Sequence, residues 1–172
     1  LLNIESQKIK ITLLEELKDE ICNEFNIKLK KSKLSKKNLN DIKSFPIEIH
    51  SPQKLIIQIG RNMRQNDLIS FNLSKKGDLW FHAQECPGSH VVLKSSAKTA
   101  NENDIQLAAD IASFFSKAKG NIKVPISCVK IKDLQKINKS GMGCVSFKNQ
   151  EIIWGNPTRG KEYIKKNTQV KK

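Results

Sequence analysis

Beyond Pro46 the sequence breaks into apolar runs of four to six residues, most of them closed by Gly, Pro, Asn or Asp. Runs that short suit strands better than helices, which need ten or more residues to present a buried stripe. Lys54 to Ile59 and Leu68 to Leu73 flank the segment GRNMRQND, and Asp78 to Ala83 and His90 to Lys94 flank QECPGS, whose Pro-Gly pair marks a turn. In the second run Leu68, Ser70 and Asn72 alternate with Ile69, Phe71 and Leu73, which predicts a half-buried strand. These four runs are read as neighbouring strands of one sheet. Strand patterns resume at Ile122 to Ile131, interrupted by Pro125, then at Gly143 to Lys148 and Glu151 to Trp154, with Lys148, Asn149 and Gln150 as the turn of a final hairpin.

Within this β-rich stretch residues 103–119 read as a helix, with Ile105, Ala108, Ala109, Ala112, Phe115 and Ser116 on one face. Asn101 or Asn103 caps it, Asp104 lies in its first turn, Lys117 and Lys119 in its last, and Gly120 ends it. The expectation for residues 46–156 is an α+β domain: a mixed β-sheet with one principal packed helix.

Upstream, Ile4, Ile11, Leu14, Leu17, Ile21 and Phe25 fall on one narrow stripe, so residues 1–27 are predicted to be an amphipathic, coiled-coil-type helix. Residues 28–45 hold seven lysines against Asp41 and read as a linker, either a solvated tether or a polybasic arm. Residues 157–172 read as a frayed basic tail.

Charge narrows the partner. Lys and Arg number 31 against 17 Asp and Glu, a formal net charge of +14. That balance suits nucleic acid, an anionic membrane surface or an acidic protein. No stretch approaches the roughly 20 apolar residues of a membrane-spanning helix, and Leu1 to Lys10 lack the apolar run of a secretory signal. The first residue is Leu rather than Met, as expected of a fragment of something longer. Cys22, Cys86, Cys128 and Cys144 form no CxxC pair and are expected as reduced thiols.

Catalytic and metal readings have little support. Asp78, His82, Ser89 and His90 lie close in sequence, but no GxSxG elbow or glycine-rich oxyanion turn accompanies them, so no enzyme is expected. His82, Cys86 and His90 recur every four residues, yet Pro87 and Gly88 break any helix that would align them and a fourth ligand is missing. Neither a metal nor a cofactor is expected. The central block instead offers an RNA-compatible surface: Arg61 and Arg64 in one turn, Lys75 and Lys76 in the next, Trp80 and His82 on one face of a strand. Arginine forks grip phosphates and an exposed aromatic stacks on a base, although a tryptophan in a strand is more often core.

At GRNMRQND, DLWFHA, PGSHVVLK and LAADIASFFSKAKGNIKVPI the sequence resembles the NFACT-R domain, from about Lys54 to Trp154. The resemblance places Gly60, Arg61, Asn62, Asn66, Asp67, Asp78, Trp80, Phe81, His82, Pro87, Gly88, Ser89 and His90 on the family's motifs. With Arg64, Lys75, Lys76 and Lys94, the members Arg61, Asn62, Asn66, Trp80, His82 and His90 make up the candidate RNA-binding set. The resemblance implies a cytoplasmic factor of ribosome-associated quality control that binds tRNA and the RNA of stalled large ribosomal subunits and supports untemplated C-terminal tailing. The helix over residues 1–27 would join the rest of the parent protein through its coiled coil. Some relatives carry a fibronectin-binding label, so a surface-adhesin fragment is the alternative.

Overall fold

In the computed structural model the described residues are 45–137 and 143–169. The helix expected over residues 1–27 and nearly all of the Lys-rich linker lie outside them. Eight strands and three α-helices follow Phe45: β1 Ile47–His50, β2 Ile56–Ile59, α1 Met63–Asp67, β3 Leu79–Ala83, β4 Val91–Leu93, α2 Glu102–Phe114, β5 Val124–Lys130, β6 Leu134–Lys136, β7 Val145–Phe147, β8 Glu151–Gly155 and α3 Pro157–Gln169. The α+β class is the one read from the sequence. Six strands form the main sheet in the order β1-β2-β4-β3-β5-β8, with every ladder antiparallel, and β6 and β7 pair as a separate ribbon.

Alternation along the strands gives the sheet two covered faces. On one, Ile57, Ile59, Phe81, Val91, Leu93 and Ile126 pack against Ala108, Ala109, Ile111 and Ala112 of α2. The alanines let the helix backbone approach closely, and Phe115 is half-buried at the margin of this core. On the other face, Trp80, Val92 and Val129 meet Ile69 and Leu134, contributed by the segment after α1 and by the β6–β7 ribbon. Each large side chain fully buried in this way contributes about 1.5–3 kcal/mol.

Four local expectations are corrected. Leu68–Asn72, read as a strand from its alternation, is a helical π-turn that continues α1. The Asn62 carboxamide starts that helix by accepting from the Gln65 N–H, and continuing helically buries Ile69 and Ser70 together, as an alternating strand would not. The principal helix ends at Phe114 rather than Gly120, because the backbone beyond it pairs with the Pro-Gly turn. There the Lys117 N–H donates to Pro87 O and the Ser89 N–H to Phe115 O. Of the two possible caps, Asn101 is used, in a capping box with Asp104. Lys148 to Gln150 do form a turn, with Asn149 at φ 53°, but β7 pairs with β6 and β8 with β5, so it joins two sheets and closes no hairpin.

The fourth correction is the tail. Pro157–Gln169 is a helix, launched by the Asn156 side chain accepting from the N–H groups of Thr158 and Arg159. It lies against α2, where Arg159 pairs with the buried Asp110 at 2.8 Å and the Tyr163 hydroxyl donates to His50 O. Two glycines allow the approach: a Cβ at Gly155 would sit 2.5 Å from Ala109 O, and one at Gly160 2.3 Å from Asp110 O.

Candidate nucleic-acid interface

The segment Gly60 to Asp67 is a turn locked from several directions. A Cβ at Gly60 would lie 2.2 Å from Asn66 Oδ1 and 2.8 Å from Asn66 N, so only glycine lets α1 fold back onto the end of β2. The Arg61 N–H donates to Gln65 Oε1 at 2.9 Å, while Asn66 is buried with its Oδ1 accepting from the His90 N–H at 3.1 Å. Asp67 accepts from Gly143 N–H and pairs with Lys136 at 2.5 Å, tying α1 to the β6–β7 ribbon. With every neighbour holding the backbone, the side chains of Arg61 and Arg64 stand exposed, and neither forms a salt bridge among the described residues.

A second basic pair lies at the far end of this helical stretch. Lys75 and Lys76 are exposed in the turn before β3. That turn is held by Asp78, whose carboxylate accepts from the Lys75 N–H at 2.8 Å and the Ser96 N–H at 3.0 Å and pairs with Lys94 at 3.0 Å. Burial raises the Asp78 pKa, but the bonds from Lys75, Lys94 and Ser96 outweigh it and hold the carboxyl below its ordinary range. The helical stretch from Met63 to Asn72 lies between Arg61 and the lysine pair. The basic groups form two patches joined by one segment.

Three other candidates, Trp80, His90 and Asn66, are interior, and His82 is half-buried. Trp80 is 1% exposed and His90 3%. The His82 ring stacks on Trp80 at 5.7 Å, and His90 meets both edge-on at 5.0 and 5.3 Å. His90 Nδ1 is 2.9 Å from the buried Ser70 hydroxyl, and the half-buried His82 has its Nε2 3.3 Å from Gly88 O. The base-stacking role considered for Trp80 is therefore corrected, because the α1 segment and Phe147 of the ribbon cover its ring. Asn66 and His90 are likewise inside, and Asn62 is a helix cap. Lys94, half-buried, is bound to Asp78 and to Leu73 O.

The same geometry shows what Asp78, His82, Ser89 and His90 do here: Asp78 closes the turn before β3, and His82, Ser89 and His90 pin the QECPGS turn to β3, α2 and α1. Cys86 packs toward the α2 core, on the other face from the His82–His90 pair. Among the described residues no group of three or more His, Cys, Asp or Glu is placed to hold a metal.

A profile described as the NFACT protein RNA binding domain matches residues 43–149. The chain belongs to that family. This NFACT RNA-binding domain is 38% identical over 108 residues to the Rqc2 homolog RqcH of Streptococcus suis, covering 63% of this chain and 19% of that protein. It is 37% identical over 107 residues to the Rqc2 homolog RqcH of Bacillus subtilis, covering 62% and 18%. The chain thus spans under a fifth of the length of these curated relatives. The fold matches the solved C-terminal part of the fibronectin/fibrinogen-binding protein of Streptococcus suis with a TM-score of 0.68 and 28% identity, over 87% of this chain and 59% of that one. No helix among the described residues is long and apolar enough to cross a membrane.

The sequence reading missed two sets of residues. Lys161, Lys165 and Lys166 stand exposed on the outer side of α3, a helix signalled by Asn156-Pro157, the pairing of an N-cap residue with proline at the first helical position. Lys136, absent from the candidate set, binds Asp67 and lies 5.9 Å from the Phe71 ring centroid.

Proposed function

We propose that this NFACT RNA-binding domain is the RNA-contacting module of a cytoplasmic ribosome-associated quality-control factor. In this reading it binds tRNA and large-subunit rRNA on stalled ribosomes and supports tailing by its parent protein without itself catalysing a reaction. The observation that carries the reading is the locked turn that holds Arg61 and Arg64 exposed, with no salt bridge among the described residues, within the family's RNA-binding domain. The fixed backbone sets where the guanidinium groups emerge, and their planar forks match phosphate oxygens two at a time, so less order is lost per hydrogen bond than with lysine. The relatives named as Rqc2 homologs supply the quality-control context.

Generic attraction must be separated from recognition, since residues 28–45 add seven lysines. The test compares two variants of the whole chain, one with the linker lysines neutralised and one with Arg61→Ala and Arg64→Ala, against tRNA and a polyanion of equal length. Linker neutralisation is expected to weaken both ligands equally. The arginine variant is expected to weaken tRNA by about tenfold, more than the polyanion, and to reduce the log–log salt slope by roughly 1.5. A folded arginine variant that binds tRNA like the parent would contradict the proposed contact.

The likeness to the Streptococcus suis fibronectin/fibrinogen-binding protein supports a second reading, attachment to fibronectin or fibrinogen. Immobilised fibronectin captured by the chain in preference to tRNA at physiological salt would favour it.

A further inference from the structure

The free edge of the main sheet carries an apolar shelf with no role in the core. β8 is the terminal strand, and its residues alternate in side: Ile153 packs into the α2 core, while Ile152 and Trp154 face the opposite way. Ile152 is 53% exposed and Trp154 57%. On that side Ile152 is registered with Ser127 and Ser127 with His82, while Trp154 is registered with Pro125. Phe147 of the ribbon, 36% exposed, has its ring 5.6 Å from that of Trp80 on the same face. An edge strand usually shows water a polar or charged face, because an apolar one invites aggregation.

The shelf's surroundings indicate what it is for. Its rim carries hydrogen-bonding groups of nucleobase type: the Gln150 carboxamide oxygen accepts from Ser127 Oγ at 2.8 Å and Gln84 Nε2 at 3.3 Å, and half-buried His82 adjoins them. An exposed lysine stands at each end, Lys148 in the turn leading into β8 and Lys123 beside Val124, the residue registered with Gly155. An exposed indole beside an aliphatic side chain, amide edges and flanking cations match a single-stranded nucleic acid, which offers base faces, base edges and phosphates.

We infer that Trp154, with its same-face neighbour Ile152, forms a stacking platform for an unpaired RNA base. The inference rests on the RNA-binding reading and adds the form of RNA that this face takes, a single strand. The platform shares the sheet face that the segment after α1 covers, but it sits at the β8 edge, four strands from β2 and the arginine turn that follows it, so neither contact needs the other.

The test uses the intact chain, an oligoadenylate of about 12 nucleotides, and an abasic phosphodiester strand of the same length. The chain has two tryptophans, and since Trp80 is 1% exposed, quenching on binding reports Trp154. Oligoadenylate is expected to quench the fluorescence. Trp154→Ala should weaken oligoadenylate about tenfold and the abasic strand less than about twofold, and Trp154→Phe should restore most of the difference. The Arg61→Ala, Arg64→Ala variant should keep the quenching at saturation. Absence of quenching, or equal affinity of Trp154→Ala and parent for oligoadenylate, overturns the platform and leaves the arginine contact standing if tRNA still binds. Failure of both tRNA and oligoadenylate to bind overturns the RNA reading itself. Self-association of the parent that Trp154→Ala abolishes, without quenching by oligoadenylate, makes the shelf a protein contact and also overturns the inference.

Discussion

Between about pH 7 and pH 5 the folded domain is expected to lose about 2 kcal/mol of stability, with His90→Asn removing most of that slope. Burial is the main cause: it disfavours the charged imidazolium, the neighbouring His82 adds to it, and together they push the His90 pKa down to about 3. Hydrogen bonds at Asn66 and Gly143 and the charge of Asp67 favour the protonated ring and are outweighed. In the unfolded chain the ring titrates near its ordinary value of about 6.5. Below that pH the unfolded state therefore binds more protons, so stability falls as pH falls, by about 1.4 kcal/mol per unit until the folded value is reached. Burial lowers the His82 pKa in the same direction. Urea unfolding at a series of pH values reads the effect. Equal slopes for His90→Asn and parent would show that another group controls the acid transition.

The second large effect belongs to Asp78. Its side chain is fully buried and holds two backbone N–H groups and the Lys94 ammonium, so Asp78→Ala leaves both N–H groups without their acceptor and Lys94 without its counter-ion. The expected cost is about 3–5 kcal/mol, since an unpaired charge and unsatisfied donors remain in place. Lys94→Met should cost less, because the carboxylate keeps the Lys75 and Ser96 N–H groups. With its pKa held below the ordinary carboxylate range, the contribution of Asp78 is present above about pH 4 and lost as pH falls through the folded value. That window lies below most of the one set by the histidines. A loss under about 1 kcal/mol for Asp78→Ala in denaturant unfolding would overturn the role given to this carboxylate.

Legibility in the sequence followed the reach of the forces involved. DLWFHA, HVVLK and EIIW were readable as strands because alternation and turn residues are local signals, and the Ala-rich helix was readable from its apolar face. LISFNL misled because its alternation is compatible with a strand, while the decisive signal lay six residues earlier in the Asn62 cap. The candidate site shows the same division. Arg61 and Arg64 were placed in one turn of a surface suited to RNA, and both are exposed. Trp80 and Trp154 could not be told apart: both sit in strands, and what buries the first is the ribbon over Phe147 and Leu134, a tertiary contact with no local signature.

The most direct measurement of the central claim is ultraviolet crosslinking of the intact parent protein in cells, followed by sequencing of the bound RNA and mapping of the crosslinked peptides. The account predicts tRNA and large-subunit rRNA enriched above an equally basic control protein, with crosslinks on the peptide spanning Arg61 and Arg64. RNA recovery no greater than the control's, or crosslinks confined to the lysines of residues 28–45, would contradict it.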